Sequence, residues 1–378
     1  MMGDLTQALR EIRHGAVARL LLAEILQLAE REGILERMWR RSPFSCEELC
    51  QALHTELGYA LAKGNRQRMI CLLLDLLSEC GWLREEEGVW LWNRENSPAL
   101  LESDGPIFST GGTPETSADD QYLFLRDCLL SVPAYLLGGG PSVRFDEKSS
   151  VAWERFLGCR EFQVCRSLLL ELMGIENHHS FRLLDLCHGP GWDLQAAISG
   201  FPAIQITALD FTEAFFDKAR ERAGRAQARM RGSGQPASSI TWVGPDRWKG
   251  FGNSFPFPDG SFEAVLFSCG DPYVARSLRG ALYGEISRVL VREGTLGILT
   301  RCYPDAEARD VPSFWLRISA LAHDFAESVC EGWEGFSEAE ENIRVFSDAG
   351  FQGAVTHLGT MNLLESSLWV LKKGRRHG

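Results

Sequence analysis

One stretch decides the fold of this chain: Leu183-Leu184-Asp185-Leu186-Cys187-His188-Gly189-Pro190-Gly191-Trp192-Asp193. Its apolar beginning predicts a short buried strand, and the glycines after it predict a tight turn that opens a helix. Glycine lets the backbone approach a ligand closely at the carboxyl end of a strand. The stretch therefore predicts a strand, a ligand-binding turn and a helix.

Apolar runs and helical patterns alternate on both sides of this stretch. The predicted strands are 181–186, 204–210, 240–243, 262–267 and 294–299, and the predicted helices between them are 193–199, 212–231 and 275–291. Such alternation is typical of an α/β fold with a doubly wound parallel sheet. Two last runs, 351–358 and 367–371, follow each other without a helix, which predicts an antiparallel edge pair. We expect a Rossmann-like sheet with an antiparallel last strand.

The N-terminal half has a different texture, which predicts a mostly α-helical, winged-helix-like domain. Predicted helices are 4–30, one that starts at the capping box of Ser45 and Glu48, 65–80, 121–137 and 151–173. The runs 82–84 and 89–92 flank a Glu-rich turn and predict a β-hairpin, and 102–119 reads as a loop. We place the two domains at 1–175 and 176–378, and expect the first to dimerise or to cover a substrate.

Bulk composition excludes several classes of function. The 378 residues carry a formal net charge of −12, which argues against nucleic acid and anionic membranes as partners. The sequence has no secretory signal and no apolar run of about 18 residues, so we expect a cytoplasmic protein. Its eleven cysteines form no CxxC pair, which fits reduced, mostly buried thiols and predicts no metal site.

A second acidic residue narrows the choice of ligand. Asp210 ends the second predicted strand, where a carboxylate can accept hydrogen bonds from both hydroxyls of a ribose. The alternative ligand is a dinucleotide, whose GxGxxG fingerprint is not matched here, because Cys187 and Asp193 stand where glycines would be needed. Asp193 would also repel a pyrophosphate at the start of the helix.

At this point the sequence resembles the class I S-adenosylmethionine-dependent methyltransferases. The match to their first motif is Asp185, Gly189, Pro190 and Gly191, with Cys187 in place of the first glycine. Three later segments are also similar to that family: 255–265, 286–290 and 336–351. More loosely, the N-terminal half resembles the winged-helix dimerisation domain of small-molecule O-methyltransferases. The resemblance implies S-adenosylmethionine as cofactor, a small-molecule substrate and a homodimer.

The resemblance also implies cofactor-binding residues, which are Asp185, Gly189, Gly191, Asp210, Phe211, Asp246, Phe267 and Ser268. Gly189 and Gly191 would line the methionine moiety, and Asp210 would hold the ribose. Phe211 would lie beside the adenine. Asp246 would accept a hydrogen bond from the amino group of the adenine. Phe267 and Ser268 would border the sulfonium. Each has an alternative reading: Asp210 as a strand-end cap, Phe267 as core and Asp246 as a turn residue.

The catalytic base is the weakest part of the resemblance. The O-methyltransferases that it resembles carry a histidine shortly after the fourth strand, and the segment Ser268-Cys269-Gly270-Asp271-Pro272-Tyr273 has none. An oxygen nucleophile with a high pKa benefits from a general base. Asp271 and Tyr273, at the strand end, and His323, in a helical insertion at 305–334, are the candidate substitutes. The alternative for His323 is a solvent-facing helical residue.

Three functions therefore compete. The first is methyl transfer to a small-molecule acceptor, such as a secondary metabolite. The second is a cyclase or decarboxylase that keeps the cofactor on the same fold without methyl transfer, an alternative that the missing histidine motivates. The third is a regulator that binds DNA through the N-terminal half, against which the acidic net charge argues.

Overall fold

The computed structural model describes residues 16–62, 64–93, 119–304, 311–357 and 365–374. The chain divides into two compact units. The helical unit comprises Arg13–Arg144 and Ala306–Gly335, and the sheet unit is built from Phe145–Asp305 and Phe336–Gly378. The start of the first predicted helix, residues 102–118 of the predicted loop and the first residues of the 305–334 insertion lie outside the described residues, whereas Asp119, placed in that loop, begins a helix.

The elements of the described residues run in this order: α1 (Ala16–Arg31), α2 (Ile34–Arg41), α3 (Cys46–Leu57), α4 (Asn65–Glu79), β1 (Leu83–Glu86), β2 (Val89–Trp92), α5 (Asp119–Leu136), α6 (Ser150–Leu157), α7 (Arg160–Leu172), β3 (Arg182–Leu186), α8 (Trp192–Gly200), β4 (Gln205–Leu209), α9 (Phe216–Gly232), β5 (Ser239–Val243), β6 (Phe262–Ser268), α10 (Arg276–Val289), β7 (Leu290–Thr300), β8 (Cys302–Tyr303), α11 (Val311–Glu327), β9 (Ser337–Glu338), α12 (Ala339–Asp348), β10 (Phe351–His357) and β11 (Ser367–Lys373). A single 3₁₀ turn, Asp271–Tyr273, follows β6.

Local chemistry explains the elements of the helical unit. The predicted capping box is present, since the Ser45 side chain accepts from the Glu48 amide and the Glu48 carboxylate accepts from the Ser45 amide. The predicted hairpin is β1 with β2, and its two turn residues, Glu87 and Gly88, both have positive φ. Helix α11 packs against α1, α4 and α5. In the described helices no segment is both long and apolar enough to cross a membrane.

The sheet unit carries a seven-stranded sheet in the order β10-β11-β7-β6-β3-β4-β5. Strands β3 to β7 are parallel, and β11 runs antiparallel between β7 and β10. The predicted doubly wound α/β fold with an antiparallel last strand is confirmed. The predicted antiparallel edge pair is β10 with β11. Strand β11 lies between β7 and β10, so β10 is the edge strand.

Strands buried on both faces explain this architecture. Leu183, Leu184 and Leu186 of β3 have no exposed surface, as expected for a parallel sheet covered by helices. Helix α8 packs against α7 and against α9, and α10 packs against α12. The carboxyl ends of β3, β4 and β6 meet where the chain crosses from one half of the sheet to the other, which is where ligands bind in such folds.

One predicted helix is wrong in a way that matters below. The pattern at 151–173 predicts one helix, whereas the chain forms α6 and α7 with a break at Gly158 and Cys159. The ring of Trp192 occupies the space beside Gly158, where a Cβ atom would lie 2.3 Å from Trp192 Cζ2. The indole Nε1 of Trp192 also donates to the Glu154 carbonyl over 2.9 Å. The break between α6 and α7 therefore leaves room for the side chain of Trp192.

The two units divide the chain differently from the predicted boundary at 175. Helices α6 and α7 belong to the sheet unit, because α7 packs on β7, β11 and α8. Helix α11 belongs to the helical unit, although it follows β7 in sequence. Periodicity identifies a helix but not the surface that it covers, so the sequence gives no means of assigning either segment to its unit.

Candidate cofactor and active site

The turn after β3 has a backbone that few residues adopt. Cys187, Gly189 and Gly191 all have positive φ, at 58°, 48° and 82°. Gly191 precedes α8, and a Cβ there would lie 2.8 Å from the Ala219 Cα of α9. Glycine is therefore required at 191 both for conformation and for the close approach of α8 to α9. Gly189, by contrast, lines the cavity described next.

A cavity of about 60 Å³ lies beside this turn in the sheet unit. It is lined by Phe145, Trp153, Leu157, Cys187, Gly189, Asp210, Phe211, Thr212, Phe215, Phe251, Ser268, Cys269, Gly270 and Tyr273. Five of the residues singled out from the sequence are thus brought together: Gly189, Asp210, Phe211, Ser268 and Tyr273. They come from the carboxyl ends of β3, β4 and β6 and from the short turn after β6.

Asp210 joins the turn to the end of β4. Its Oδ2 accepts from the Gly189 amide over 2.9 Å, and its Oδ1 accepts from the Thr212 amide over 3.1 Å. Only 2% of the residue is exposed, and this burial raises the pKa of the carboxyl. The Phe211 amide also interacts with this carboxylate, and a carboxylate has about four acceptor positions, so acceptor capacity remains for a ligand.

Asp185 is a buried carboxyl at the carboxyl end of β3. The residue is 1% exposed, and neither of its oxygens has a hydrogen-bond partner among the described residues. Burial raises its pKa well above the ordinary value, Asp193 and Asp210 raise it further, and Arg166 opposes them. An unsatisfied buried polar group is costly and calls for an explanation, and a ligand that places positive charge or donors nearby would supply one.

Asp193 lies near Asp185 and forms a buried ion pair. Its Oδ1 accepts from Arg166 Nε over 2.8 Å and from Ser268 Oγ over 2.9 Å. The Arg166 guanidinium thus pairs with Asp193 and also lowers the pKa of Asp185, whereas Asp210 is held by backbone amides. The resulting excess of acidic groups favours a cationic ligand.

His188 is part of the scaffold of the turn. Burial lowers the pKa of its imidazole, and its Nδ1 lies 2.8 Å from the Gly189 carbonyl, which can only accept, so that nitrogen carries the proton. The ring packs edge-on against Phe216 and Trp242, with centroids 4.8 and 5.4 Å away. Its role is local, as its position in the turn predicts.

Aromatic side chains line the other side of the cavity. Phe145 and Trp153 stack in parallel with centroids 5.5 Å apart, and Tyr273 meets both edge-on. Phe145 also meets Phe211 edge-on at 5.6 Å. Sequence reasoning missed Phe145 and Trp153, because they precede the sheet in sequence and no motif marks them.

Other predicted residues lie elsewhere. Asp271 is buried against Arg279, whose Nη2 lies 2.8 Å from both carboxylate oxygens, and it also accepts from Tyr283. Phe267 is fully buried in the core, with its ring near that of Phe251. Asp246 is exposed in the turn after β5. None of these three lines the cavity.

His323 lies in α11 of the helical unit. It has no exposed surface, and its Nδ1 is 3.5 Å from Glu327 Oε1, one turn later. The alternative of a solvent-facing residue is therefore wrong. The sequence could not reveal this burial, since it depends on the helices that pack around α11.

The residues present fit S-adenosylmethionine in their chemistry. Asp210 suits ribose hydroxyls, Gly189 permits close approach, and the acidic groups suit a sulfonium and an ammonium. Cavities that hold ligands of this size span ~300–1,000 Å³, so binding requires the aromatic side chains over the 60 Å³ cavity to move. Phe145, Trp153 and Tyr273 are held by ring contacts, which can rearrange at modest cost.

Comparisons with known proteins give one consistent class. No protein-family model matches the chain. Demethylmenaquinone methyltransferase from Chlamydia pneumoniae is 24% identical over 220 residues, 54% of this chain and 83% of that protein. The ubiquinone/menaquinone biosynthesis C-methyltransferase UbiE from Methylobacterium nodulans is 28% identical over 218 residues, 55% of this chain and 79% of that protein.

Solved structures share the fold over nearly the whole chain. The CMeT domain of the citrinin polyketide synthase has a TM-score of 0.53 at 15% identity, over 94% of this chain and 88% of its own. An O-methyltransferase family 2 protein from Planctomyces limnophilus, in complex with apigenin, has a TM-score of 0.51 at 17% identity, over 95% and 94%. The chain therefore has the fold of these S-adenosylmethionine-dependent methyltransferases, and its sequence is similar to that of two curated methyltransferases.

Proposed function

We propose that this enzyme methylates a small-molecule acceptor at the cavity beside Gly189. The observation that carries the proposal is the buried Asp210 carboxylate, which holds the Gly189 amide at the cavity wall and keeps acceptor positions free. When bound, S-adenosylmethionine would supply an electrophilic methyl group on a positively charged sulfur. The protein then has to bind, orient and desolvate the two reactants, which is the larger part of such catalysis.

Each cofactor-binding residue would have a separate task. Asp210 would accept from the ribose hydroxyls, Phe211 would pack beside the adenine, and Gly189 would border the methionine moiety. Asp185 would become ionised and face the positive charge of the cofactor. Asp246 remains a proposed partner of the adenine amino group, at the rim after β5.

The chemistry of the cavity wall favours an acceptor that is aromatic or polyketide-like. Phe145, Trp153, Phe211 and Tyr273 offer ring faces and edges on which a flat molecule would pack. This agrees with relatives and neighbours named for a quinone precursor, a polyketide and a complex with apigenin.

The wall also bears on how the acceptor is activated. Its titratable residues are Cys187, Asp210, Cys269 and Tyr273, with no histidine or lysine among them. An acceptor that ionises readily by itself, such as an acidic phenol or a 1,3-diketone, needs no stronger base. We propose Tyr273 as the residue that orients its oxygen, whereas Asp271 holds the turn that carries Tyr273 through Arg279. His323 remains a proposed general base, and a His323→Gln variant tests that role.

Methyl transfer is preferred over the cyclase or decarboxylase alternative, because the relatives and neighbours above are methyltransferases and no observation favours a rearrangement. A panel of phenols and 1,3-diketones incubated with S-adenosylmethionine and read by mass spectrometry tests the proposal. We expect a product that gains one methyl group, and a loss of turnover in Tyr273→Phe that exceeds the loss of cofactor affinity. A rearranged or decarboxylated product without added methyl would overturn it.

The assembly and the compartment are also part of the proposal. We propose a cytoplasmic homodimer formed through the winged-helix-like helical unit, supported by eleven cysteines that form no disulfide and by the dimerising domain that the N-terminal half resembles. Light scattering after size exclusion should give twice the chain mass of 42.2 kDa. A mass that stays at one chain at all concentrations would contradict the dimer.

A further inference from the structure

Three cysteines form a cluster in the helical unit, outside every group of residues used above. Cys46 is the first residue of α3, Cys50 lies one turn later, and Cys71 lies in α4. The sulfur of Cys46 is 3.1 Å from that of Cys71. Cys46 and Cys71 are partly exposed, whereas Cys50 is 7% exposed. Small oxidants can therefore reach the two sulfurs that lie in contact.

The thiols of the cluster differ in acidity. Interaction with Cys50 raises the pKa of the Cys46 thiol to about 11, and the pKa of the Cys50 thiol is lowered. The thiolate is the form that reacts with peroxide, so the reaction starts from the ionised fraction of the Cys46 thiol. The contact of the Cys46 sulfur with that of Cys71 then decides which sulfur it pairs with.

We propose that peroxide oxidises this cluster, with a Cys46–Cys71 disulfide as the product. The Cys46 sulfur attacks one oxygen of hydrogen peroxide, the O–O bond breaks, and the hydroxide that leaves takes up the proton released by the Cys46 thiol and becomes water. The Cys71 sulfur then attacks the Cys46 sulfenic acid, the S–O bond breaks, and the hydroxyl leaves with the Cys71 proton as water. Two thiols lose two electrons, and one peroxide becomes two waters.

Geometry selects this disulfide over the alternatives. Residues four apart on a helix have Cβ atoms ~5–6 Å apart, whereas a disulfide needs ~3.5–4.5 Å, so Cys46 and Cys50 cannot pair without unwinding α3. Within the described ranges, no group of three or more His, Cys, Asp or Glu has the arrangement of a metal site. The product links α3 to α4 within one unit, as a removable cross-link of the helical unit.

The test is peptide mapping of the full, reduced chain after brief exposure to hydrogen peroxide and alkylation. Cleavage after arginine and lysine leaves Cys46 and Cys50 on one peptide, 42–63, and Cys71 with Cys80 on another, 69–84. We expect these two peptides to become linked, and dithiothreitol to separate them. Because Cys80 shares the peptide with Cys71, Cys80→Ser is the matched control and should retain the link.

Single variants assign the sulfurs. Cys71→Ser and Cys46→Ser should each abolish the link, and Cys50→Ser should retain it, because Cys50 has no part in the product. In Cys71→Ser a dimedone adduct should accumulate on the 42–63 peptide, which keeps the test informative because it does not depend on a disulfide. A link that persists in Cys71→Ser, or the absence of a link in the wild-type chain under peroxide, would overturn the proposal.

Discussion

At the scale of single residues, the sheet unit buries a carboxyl for which the described residues provide no hydrogen-bond partner. Asp185 is 1% exposed and beside two other carboxyls, and burial raises its pKa well above the usual range. A carboxyl with a raised pKa holds its proton more tightly in the folded chain than in the unfolded one. This tighter proton binding contributes to the stability of the folded chain. The contribution is complete below the unfolded pKa of about 4 and is lost as pH rises through the folded pKa.

The first prediction concerns Asp185→Asn, which cannot ionise. Without ligand, its free energy of unfolding should match the wild type near about pH 4 and exceed it by about 1–3 kcal/mol near pH 8. Denaturant titrations at several pH values measure this difference. The matched control is Asp217→Asn, an exposed carboxylate at the start of α9, for which no such divergence is expected. Equal stability of Asp185→Asn and wild type across the whole range would contradict the assignment.

The second prediction follows from the same carboxyl when ligand is present. A cationic cofactor favours the ionised form, so binding should release a proton from Asp185 below its raised pKa. Calorimetry of S-adenosylmethionine binding in buffers of different ionisation enthalpy counts this proton. The release should disappear in Asp185→Asn, and its persistence there would assign the proton to another group.

Cys187 shows why the family motif has a glycine at its place. The residue has φ 58°, and a left-handed conformation costs a non-glycine residue roughly 1–2 kcal/mol. Glycine would relieve that strain and lose about 0.5–1 kcal/mol through its freedom in the unfolded chain. We therefore predict that Cys187→Gly changes stability by less than about 1 kcal/mol, whereas Cys187→Val destabilises by about 2 kcal/mol or more, since β-branched residues avoid this region. Thermal unfolding of both variants decides, and two equal losses would contradict it.

At the scale of elements, the contact between α8 and α9 positions the turn. A Cβ at Gly191 would lie 2.8 Å from the Ala219 backbone, and φ there is 82°. Gly191→Ala should therefore destabilise by about 2 kcal/mol or more and weaken cofactor binding. Gly224→Ala is the matched control, because Gly224 lies within α9 with open space at its Cβ, and it should stabilise by about 0.5–1 kcal/mol. Equal effects of the two substitutions, measured by denaturant unfolding, would refute the packing argument.

The sequence predicted the elements of the sheet unit better than their neighbours. Buried strands leave an apolar run bounded by turn residues, so β3, β4 and β6 are found within one or two residues. Helix breaks such as Gly158 depend on a distant side chain, here Trp192, and leave no local trace. For the same reason Gly189 and Asp210 could be predicted, whereas Phe145 and Trp153 could not, because only the fold brings them to the cavity.

At the scale of the whole molecule, two units interleave in sequence. The helical unit contains α11, which the chain inserts between β7 and the last strands, and the sheet unit contains α6 and α7, which precede the sheet. A single boundary at 175 therefore places α6 and α7 with the helical unit and α11 with the sheet unit, which is the reverse of the observed division. The resemblance to class I methyltransferases could be seen in the sequence because its motifs are short and local, whereas the acceptor could not, since its recognition depends on side chains that come from separate segments.

The most direct measurement is calorimetry of S-adenosylhomocysteine with the wild type, Asp210→Asn and Asp217→Asn. Asp210 supplies charge-assisted hydrogen bonds worth about 1.5–3 kcal/mol, so Asp210→Asn should lose about ten- to a hundredfold in affinity while Asp217→Asn binds like the wild type. Circular dichroism would verify that the turn held by Asp210 still folds. A wild-type chain that does not bind, or a folded Asp210→Asn that binds as tightly as wild type, would contradict the cofactor site at Gly189 and Asp210.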